Sequence, residues 1–217
     1  MYKYFIFDLD GTLLNTISDL RNSINITFKR LGFPEVTDEK VEASINNGAR
    51  MLLSRCLPDG VTDEVLNEVK RVYDEVYEEN CLIYSKPYEY VEGILSYCKS
   101  RGAKMAVYSN KQDACVKKIV NELFPNTFEI ALGGGTSLPH KPEPDGALYI
   151  AKHLGATPDE IAFIGDSDVD IQTALNAQMH PYGVSWGYRH PDLLTEKGAE
   201  GIICDLKGFI SICEGKK

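Results

Sequence analysis

The sequence predicts an α/β fold in which a Rossmann-like parallel sheet core carries an inserted, all-helical domain. Apolar segments of strand length alternate with helical segments after residue 90, as in a parallel sheet that helices cover on both faces. One more apolar strand opens the chain at residues 4–7. Between these regions, residues 38–80 have helical character throughout, and a block of that length exceeds a single crossover between neighbouring strands.

Periodicity and chain terminators define the elements of the N-terminal part. The aromatic and β-branched residues 4–7 predict a buried strand that ends at Asp8. A polar turn leads into a helix over about residues 18–30. Within residues 38–80, apolar side chains recur at helical spacing at Leu66, Val69, Val72, Tyr73 and Val76. Pro87 closes the helical block, because proline lacks the amide hydrogen that a helix interior needs.

Helices and strands then alternate to the end of the chain. The predicted elements are a helix over about residues 91–101, a strand over 104–108, a helix over 113–123, a strand near 128–132, a Gly-Gly-Gly turn, a helix over 143–153, and strands over 161–164, 181–185 and 201–204. Glycines and prolines separate these elements, and Thr157-Pro158-Asp159-Glu160 has the composition of a capping box.

The predicted elements divide the chain into two domains. Residues 1–16 and 87–217 form the α/β core, and residues 17–86 form a helical domain inserted between the first and second strands of the sheet. The chain passes between the domains near residues 14–18 and 82–90, where hinges are expected.

The composition of the 217-residue chain favours a small-molecule partner. Hydrophobic residues make up 43% of the sequence and charged residues 25%, as in ordinary globular proteins. A net charge of −9 without a basic run argues against binding to nucleic acid or to anionic membranes. No apolar run reaches membrane-spanning length and the N-terminus lacks the features of a signal peptide, so the cytoplasm is the expected location.

Two carboxylates follow the first strand directly. Asp8 and Asp10 lie two residues apart, and Gly11 permits a turn where a side chain would clash. A carboxylate can attack phosphorus, and hard divalent cations prefer oxygen ligands. Ligands of open parallel sheets bind at the carboxyl ends of the strands, which favours a functional interpretation. The alternative is an ordinary Asp-Gly turn.

Phosphate-binding candidates follow later strands. Ser109 and Asn110 come after residues 104–108 and can donate hydrogen bonds to phosphate oxygens, although either could instead cap a helix. Lys141 lies in the segment His-Lys-Pro-Glu-Pro, whose prolines stiffen the backbone. A lysine held there can supply a fixed positive charge; the alternative is a solvated surface lysine.

A third acidic group follows the strand over residues 161–164. Asp166, Asp168 and Asp170 come directly after it, and one helical turn would place Asp166 and Asp170 on one face. A solvated acidic helix start is the alternative, since acids there favour the helix dipole. The abrupt change from apolar residues to clustered acids favours a metal site.

Together these segments resemble the haloacid dehalogenase-like hydrolase superfamily. Asp8-Leu9-Asp10-Gly11-Thr12-Leu13 is similar to its first motif, and the helical insert resembles its first type of cap, C1. The later motifs are matched by Ser109, Lys141 and Gly165-Asp166 with Asp170. Resemblance to the phosphoglycolate phosphatase branch lies in residues 47–50, 108–111, 140–144 and 183–189, with departures at Asn15 and at Glu89-Tyr90.

The resemblance implies a magnesium-dependent phosphatase that acts on a small phosphorylated metabolite, with 2-phosphoglycolate expected. It implies that Asp8 is the nucleophile and that Asp10 is the general acid and base. The implied Mg²⁺ ligands are the Asp8 carboxylate, the Asp10 carbonyl and Asp166, with Asp170 supporting the metal's waters or orienting Lys141. The implied phosphate-binding groups are Ser109, the backbone at Asn110, and Lys141.

The leaving group must be recognised by the inserted domain, since the core motifs address phosphate alone. The segment Asn46-Asn47-Gly48-Ala49-Arg50 combines a glycine turn with hydrogen-bonding side chains, and Arg50 can pair with a carboxylate in a two-pronged geometry. The alternative is that Arg50 lies in solvent. Other functions left open are a sugar-phosphate mutase, a pyrophosphatase, and a non-catalytic binding protein on the same scaffold, whereas dehalogenation would leave Asp10 without a role.

Overall fold

A six-stranded parallel sheet lies at the centre of the computed structural model, which describes residues 2–45 and 47–214. The strands are β1 (Tyr4–Phe7), β2 (Leu14–Asn15), β3 (Lys86–Pro87), β4 (Lys104–Gln112), β5 (Ile130–Gly134), β6 (Ile161–Gly165), β7 (His180–Val184) and β8 (Gly201–Ile203). The order in the large sheet is β5-β4-β1-β6-β7-β8, with every neighbouring pair parallel. The predicted fold class is confirmed.

Helices connect and cover these strands. They are α1 (Ile17–Leu31), α2 (Asp38–Ser44), α3 (Gly48–Cys56), α4 (Asp63–Asn80), α5 (Val91–Ser100), α6 (Asp113–Leu123), α7 (Asp145–Leu154), α8 (Asp168–Asn176), α9 (Pro191–Glu196) and α10 (Leu206–Cys213), with a 3-10 turn over Pro158–Glu160. No described helix has both the length and the apolar character that crossing a membrane requires.

The block predicted as helical over residues 38–80 consists of three helices, α2, α3 and α4. The backbone is extended at Ile45 and left-handed at Asn47 and Gly48, with φ of 63° and 82°, so α2 and α3 are separate. Pro58-Asp59-Gly60 separates α3 from α4, whose N-cap is Thr62. Asn46, which the sequence places in the substrate-reading segment, lies outside the described residues.

The two segments predicted as hinges pair with each other. Leu14 and Asn15 form an antiparallel ribbon with Pro87 and Lys86, and the Tyr88 amide donates to the Leu13 carbonyl over 3.2 Å. This ribbon was not predicted from the sequence, because two-residue strands are too short for an alternating pattern. Both connections to the helical block therefore run side by side.

The register of the central strands places the functional segments next to one another. Phe7 of β1 lies opposite Val107 of β4 and opposite Ile164 of β6. The chain therefore leaves all three strands at the same edge of the sheet. Phe5 and Phe7 pack into one apolar cluster and Ile6 into the other, so both faces of β1 are buried. This burial fixes the strand ends from which the site is built.

Candidate active site

Asp8 and Asp10 emerge from β1 at the edge shared with β4 and β6. Asp8 is buried, and its amide donates to the Ile164 carbonyl over 2.9 Å, which continues the ladder to β6. Gly11 has a φ of +85°, and a Cβ placed on it would lie 2.3 Å from an oxygen of Asp166. Only glycine fits this turn, which brings the first motif against the acid that follows β6.

Lys141 joins the first and last acidic motifs. Its ammonium donates to Asp8 Oδ1 over 2.7 Å, to Asp170 Oδ1 over 2.6 Å and to the Tyr108 carbonyl over 3.1 Å. Burial alone would lower the pKa of Lys141, but Asp170 and Asp8 outweigh it and raise that pKa above its ordinary value. Lys141 is therefore a fixed positive charge at the site, as its sequence context indicated.

Asp170 is held in place from both sides. While Oδ1 accepts from Lys141, Oδ2 accepts from the Ser167 amide over 3.1 Å and from the Ser167 hydroxyl over 2.6 Å. Ser167 caps α8, and Asp170 returns the bond to it as a capping box. Asp170 therefore orients Lys141 through a rigid helix start. Asp168, the first residue of α8, is half-buried and belongs to no described carboxylate cluster.

Asp166 lies beneath the first motif, where it is buried and hydrogen-bonded. Its carboxylate accepts from the Thr12 hydroxyl over 3.3 Å and from the Tyr188 amide over 2.8 Å. The Tyr188 side chain reaches further and contacts Thr16, whose amide donates to the phenol oxygen over 2.9 Å. Trp186, in the same loop, donates to the Thr12 carbonyl over 3.0 Å. The loop after β7 therefore holds the first motif and Asp166 together.

The donor set of this acidic cluster fits Mg²⁺. Asp8, Asp166 and Asp170 are buried, and each offers an oxygen within 4.8 Å of the others. Burial, together with the Asp170 charge, raises the pKa of Asp8 to about 7, and burial with the Asp170 and Asp8 charges raises that of Asp166 well above its usual range. Three buried carboxylates face one lysine, an imbalance that a hard divalent cation would relieve.

Ser109 and Asn110 lie in the last part of β4 and line the same cavity as Asp8. The Ser109 hydroxyl is buried, lines the cavity described below, and accepts from the Lys111 amide over 3.2 Å. The Asn110 side chain makes two hydrogen bonds to the backbone of Lys141, over 3.0 and 2.8 Å. The side-chain amide of Asn110 thus positions the Lys141 segment, and the Asn110 backbone is the group expected to bind a phosphate.

Lys111, the next residue, is a second buried cation, and no role in the site was predicted for it from the sequence. Its ammonium lies 2.8 Å from Asp10 Oδ1 and donates to the Tyr77 hydroxyl of α4, over whose ring it also sits at 4.5 Å from the centroid. Burial opposes its charge, but Asp10 outweighs this and raises the pKa of Lys111. Lys111 therefore links the core acid Asp10 to the helical block.

A cavity of about 80 Å³ lies between the sheet edge and the helical block. Asp8, Asp10 and Lys141 form part of its core side. Its other described core residues are Ser109, Asn110, Lys111, Gln112, Ser167 and Val169. The helical side supplies Leu20, Ile45, Asn47, Gly48, Ala49, Leu52, Tyr73, Asp74 and Tyr77. Reactive groups therefore face a partly apolar cavity between the sheet edge and the helical block.

Arg50 does not line this cavity in the structure. Its guanidinium donates to Asp63 Oδ1 over 2.6 Å and to Asn67 Oδ1, both on α4, and its side chain is 41% exposed. Asn47, Gly48 and Ala49 do line the cavity, but α3 begins at Gly48 and directs Arg50 toward α4. A role for Arg50 in reading the substrate would therefore need its two contacts on α4 to be broken.

Sequence reasoning missed contacts that join the two parts of the chain. Lys111 binds Tyr77, and Arg189 donates to the carbonyls of Glu42 and Ile45 over 3.1 and 2.6 Å. Lys111 and Arg189 both belong to segments that carry the family resemblance, which is the signal that could have found them. Tyr77 carries no such signal, because a tyrosine at helical spacing is ordinarily a core residue.

Comparisons with known proteins agree with the geometry. The family model described as haloacid dehalogenase-like hydrolase matches residues 5–184. A phosphoglycolate phosphatase of Aquifex aeolicus is 34% identical over 86% of each chain, and that of Pasteurella multocida is 31% identical over 98% of this chain and 99% of its own. A crystal structure from Lactobacillus delbrueckii subsp. bulgaricus, provisionally named phosphoglycolate phosphatase, has 31% identity and a TM-score of 0.91, covering 97% of this chain and 98% of its own.

Proposed function

Because this chain belongs to the haloacid dehalogenase-like hydrolase family, in its phosphoglycolate phosphatase branch, and is a phosphatase, we propose that it hydrolyses 2-phosphoglycolate with Mg²⁺ through an aspartyl phosphate. The observation that carries this proposal is the buried group of Asp8, Lys141 and Asp170, in which one ammonium contacts both carboxylates at 2.6–2.7 Å. The proposed nucleophile and a fixed cation thus meet at the cavity wall.

Asp8 is the proposed nucleophile. Its carboxylate lines the cavity, and Lys141 holds one oxygen, Oδ1, so that the other is free to attack phosphorus in line with the leaving oxygen. Attack forms the P–O bond to Asp8 and breaks the bond to the substrate oxygen. Lys141 and the Ser109 hydroxyl lie beside Asp8, where they would stabilise charge on the transferring phosphoryl group.

Asp10 is the proposed general acid and base. It also lines the cavity and is 15% exposed, so a substrate can reach it. It gives its proton to the leaving alkoxide, and then takes a proton from the water that hydrolyses the acyl phosphate. Free phosphate is released and both aspartates return to their initial state.

Mg²⁺ would be held by the Asp8 carboxylate, the Asp10 main-chain carbonyl and Asp166, with Asp170 behind Lys141. When bound, the ion would neutralise charge on the phosphoryl oxygens. The chain's own residues keep these ligands in place: Thr12 and Tyr188 hold Asp166, while Ser167 holds Asp170.

Residues 17–86 are proposed to act as a cap over the core formed by residues 1–16 and 87–217. The β2–β3 ribbon carries both connections, and the cavity lies between the two parts. Opening about the ribbon would admit substrate and closing would exclude water. The cytoplasmic location stays a prediction.

The experiment is phosphate release from a panel of phosphate esters, with Mg²⁺ and after chelation. The panel includes 2-phosphoglycolate, ethyl phosphate, pyrophosphate and hexose phosphates. The proposal expects release that needs Mg²⁺ and is fastest, by kcat/KM, with 2-phosphoglycolate. Preference for pyrophosphate, isomerisation of a sugar phosphate without free phosphate, or full activity after exhaustive chelation would each contradict it.

A further inference from the structure

The cavity contains two lysines among its described lining residues, and they differ in how many of their hydrogens are engaged. An ammonium group has three hydrogens to donate. Lys141 uses all three, on Asp8, Asp170 and the Tyr108 carbonyl. Lys111 contacts Asp10 and the Tyr77 hydroxyl, so within the described part of the chain its third hydrogen has no acceptor. Lys111 is therefore equipped to bind one more acceptor in the cavity.

The position of Lys111 fixes where that acceptor would lie. Its nitrogen is 2.8 Å from Asp10, the proposed proton donor to the leaving oxygen. In 2-phosphoglycolate the carboxylate carbon is two bonds from that oxygen. A carboxylate attached so closely must lie near Asp10 whenever the leaving oxygen does. Once Asp10 has given its proton to the leaving oxygen, its carboxylate and the substrate carboxylate would repel each other in this cavity without a cation beside them.

We propose that Lys111, held by Tyr77, is the specificity-determining residue that binds the carboxylate of the substrate's leaving group. The inference rests on the proposed function and names the residue that the proposed substrate requires. Because Tyr77 belongs to α4 and Lys111 to β4, the binding group is complete only when α4 lies over the core, as it does in this structure. Closure of the helical block and recognition of the carboxylate are thereby one event.

Two arginines described near the helical block, Arg50 and Arg189, are engaged by other partners. Arg50 is engaged by Asp63 and Asn67 outside the cavity. Arg189 donates to main-chain carbonyls of Glu42 and Ile45. On the helical side Tyr73 stacks on Tyr77 at a centroid distance of 5.3 Å, and the acid Asp74 is paired with Lys70.

The test compares kcat/KM on 2-phosphoglycolate and on ethyl phosphate, whose leaving group has similar size and no charge. Lys111→Gln should lose about 10- to 100-fold more on 2-phosphoglycolate than on ethyl phosphate, the range for one hydrogen bond to a charged group. Lys111→Arg, which keeps the charge, should recover part of that selectivity. Lys117→Gln, an exposed lysine on α6 paired with Asp113, is the matched control and should change neither substrate.

Tyr77→Phe keeps the Lys111–Asp10 pair and serves if Lys111→Gln does not fold. It should reduce kcat/KM on 2-phosphoglycolate by about 10-fold more than on ethyl phosphate, the lower end of the range for one hydrogen bond to a charged group. Equal losses on the two esters would overturn the inference and leave Lys111 as a positioning residue for Asp10. A wild type that hydrolyses ethyl phosphate and not 2-phosphoglycolate would overturn the proposed substrate as well, so the two failures are distinguishable.

Discussion

The ammonium nitrogen of Lys141 lies 2.7 Å from Oδ1 of Asp8, although 133 residues separate the two in the chain. Asp8 follows β1 and Lys141 follows β5, and both strands run parallel in the sheet order β5-β4-β1, so the segments after them leave the sheet at the same edge. The same nitrogen lies 2.6 Å from Asp170. One buried cation thus ties the first motif of the chain to the last.

Removal of that cation should damage both activity and stability. Lys141→Met leaves Asp8 and Asp170 without their partner, and loss of one member of a buried ion pair costs about 3–5 kcal/mol of the free energy of unfolding. Turnover should fall by about a hundredfold or more, as when a transition-state donor is removed. Chemical denaturation and phosphate release measure the two effects. Lys141→Met with wild-type turnover would contradict the role of Lys141.

Mg²⁺ should stabilise the folded protein in the absence of substrate. The three buried carboxylates of Asp8, Asp166 and Asp170 exist as a group only in the folded chain. By mass action the ion should therefore raise Tm, and it should add about 2.7 kcal/mol to the free energy of unfolding at a hundredfold excess over Kd. Differential scanning calorimetry across a Mg²⁺ series measures the shift. Asp166→Asn should abolish it and Asp168→Asn should retain it. An equal shift in both variants would place the ion elsewhere.

Asp19 should stabilise the second connection between core and helical block. Its buried carboxylate accepts from the Tyr84 and Ser85 amides over 2.9 and 2.8 Å and from the Ser85 hydroxyl over 2.6 Å. Asp19→Ala leaves these donors unpaired and should cost about 3 kcal/mol of the free energy of unfolding. Asp63→Ala, which breaks only the exposed pair with Arg50, should cost less than about 1 kcal/mol. Similar losses in the free energy of unfolding for the two variants would show that Asp19 does not stabilise this connection.

Arg50→Ala tests whether Arg50 binds the substrate carboxylate, as the sequence predicts, or only contacts α4, as in the structure. With its guanidinium on Asp63 and Asn67, Arg50 should affect 2-phosphoglycolate and ethyl phosphate alike, since an exposed ion pair contributes about 0–1 kcal/mol. Steady-state kinetics on both esters provide the measurement. A loss of tenfold or more confined to 2-phosphoglycolate would instead support carboxylate binding by Arg50, and would require that α3 present it to the cavity.

The sequence predicted the fold class and the segments that form the site because each motif follows its own apolar strand. Asp8, Lys141 and Asp166 were identifiable by residue type and position, and in the structure Asp8 is close to Asp166 and contacts Lys141. Contacts across the chain were not predictable in the same way. The bond from Lys111 to Tyr77 depends on how α4 packs over β4, and the helical spacing of Tyr77 indicates only that it is buried.

The central claim is that Asp8 carries the phosphoryl group during turnover. The most direct measurement is acid quenching of a single turnover of 2-phosphoglycolate with Mg²⁺, followed by mass spectrometry of the tryptic peptide spanning residues 4–21. Asp10→Asn should accumulate one phosphoryl group on Asp8, because it lacks the base that activates water. Asp8→Asn should show none, with turnover lower by about three orders of magnitude or more. An unlabelled peptide in Asp10→Asn that still turns over, or an Asp8→Asn variant as active as wild type, would contradict the account.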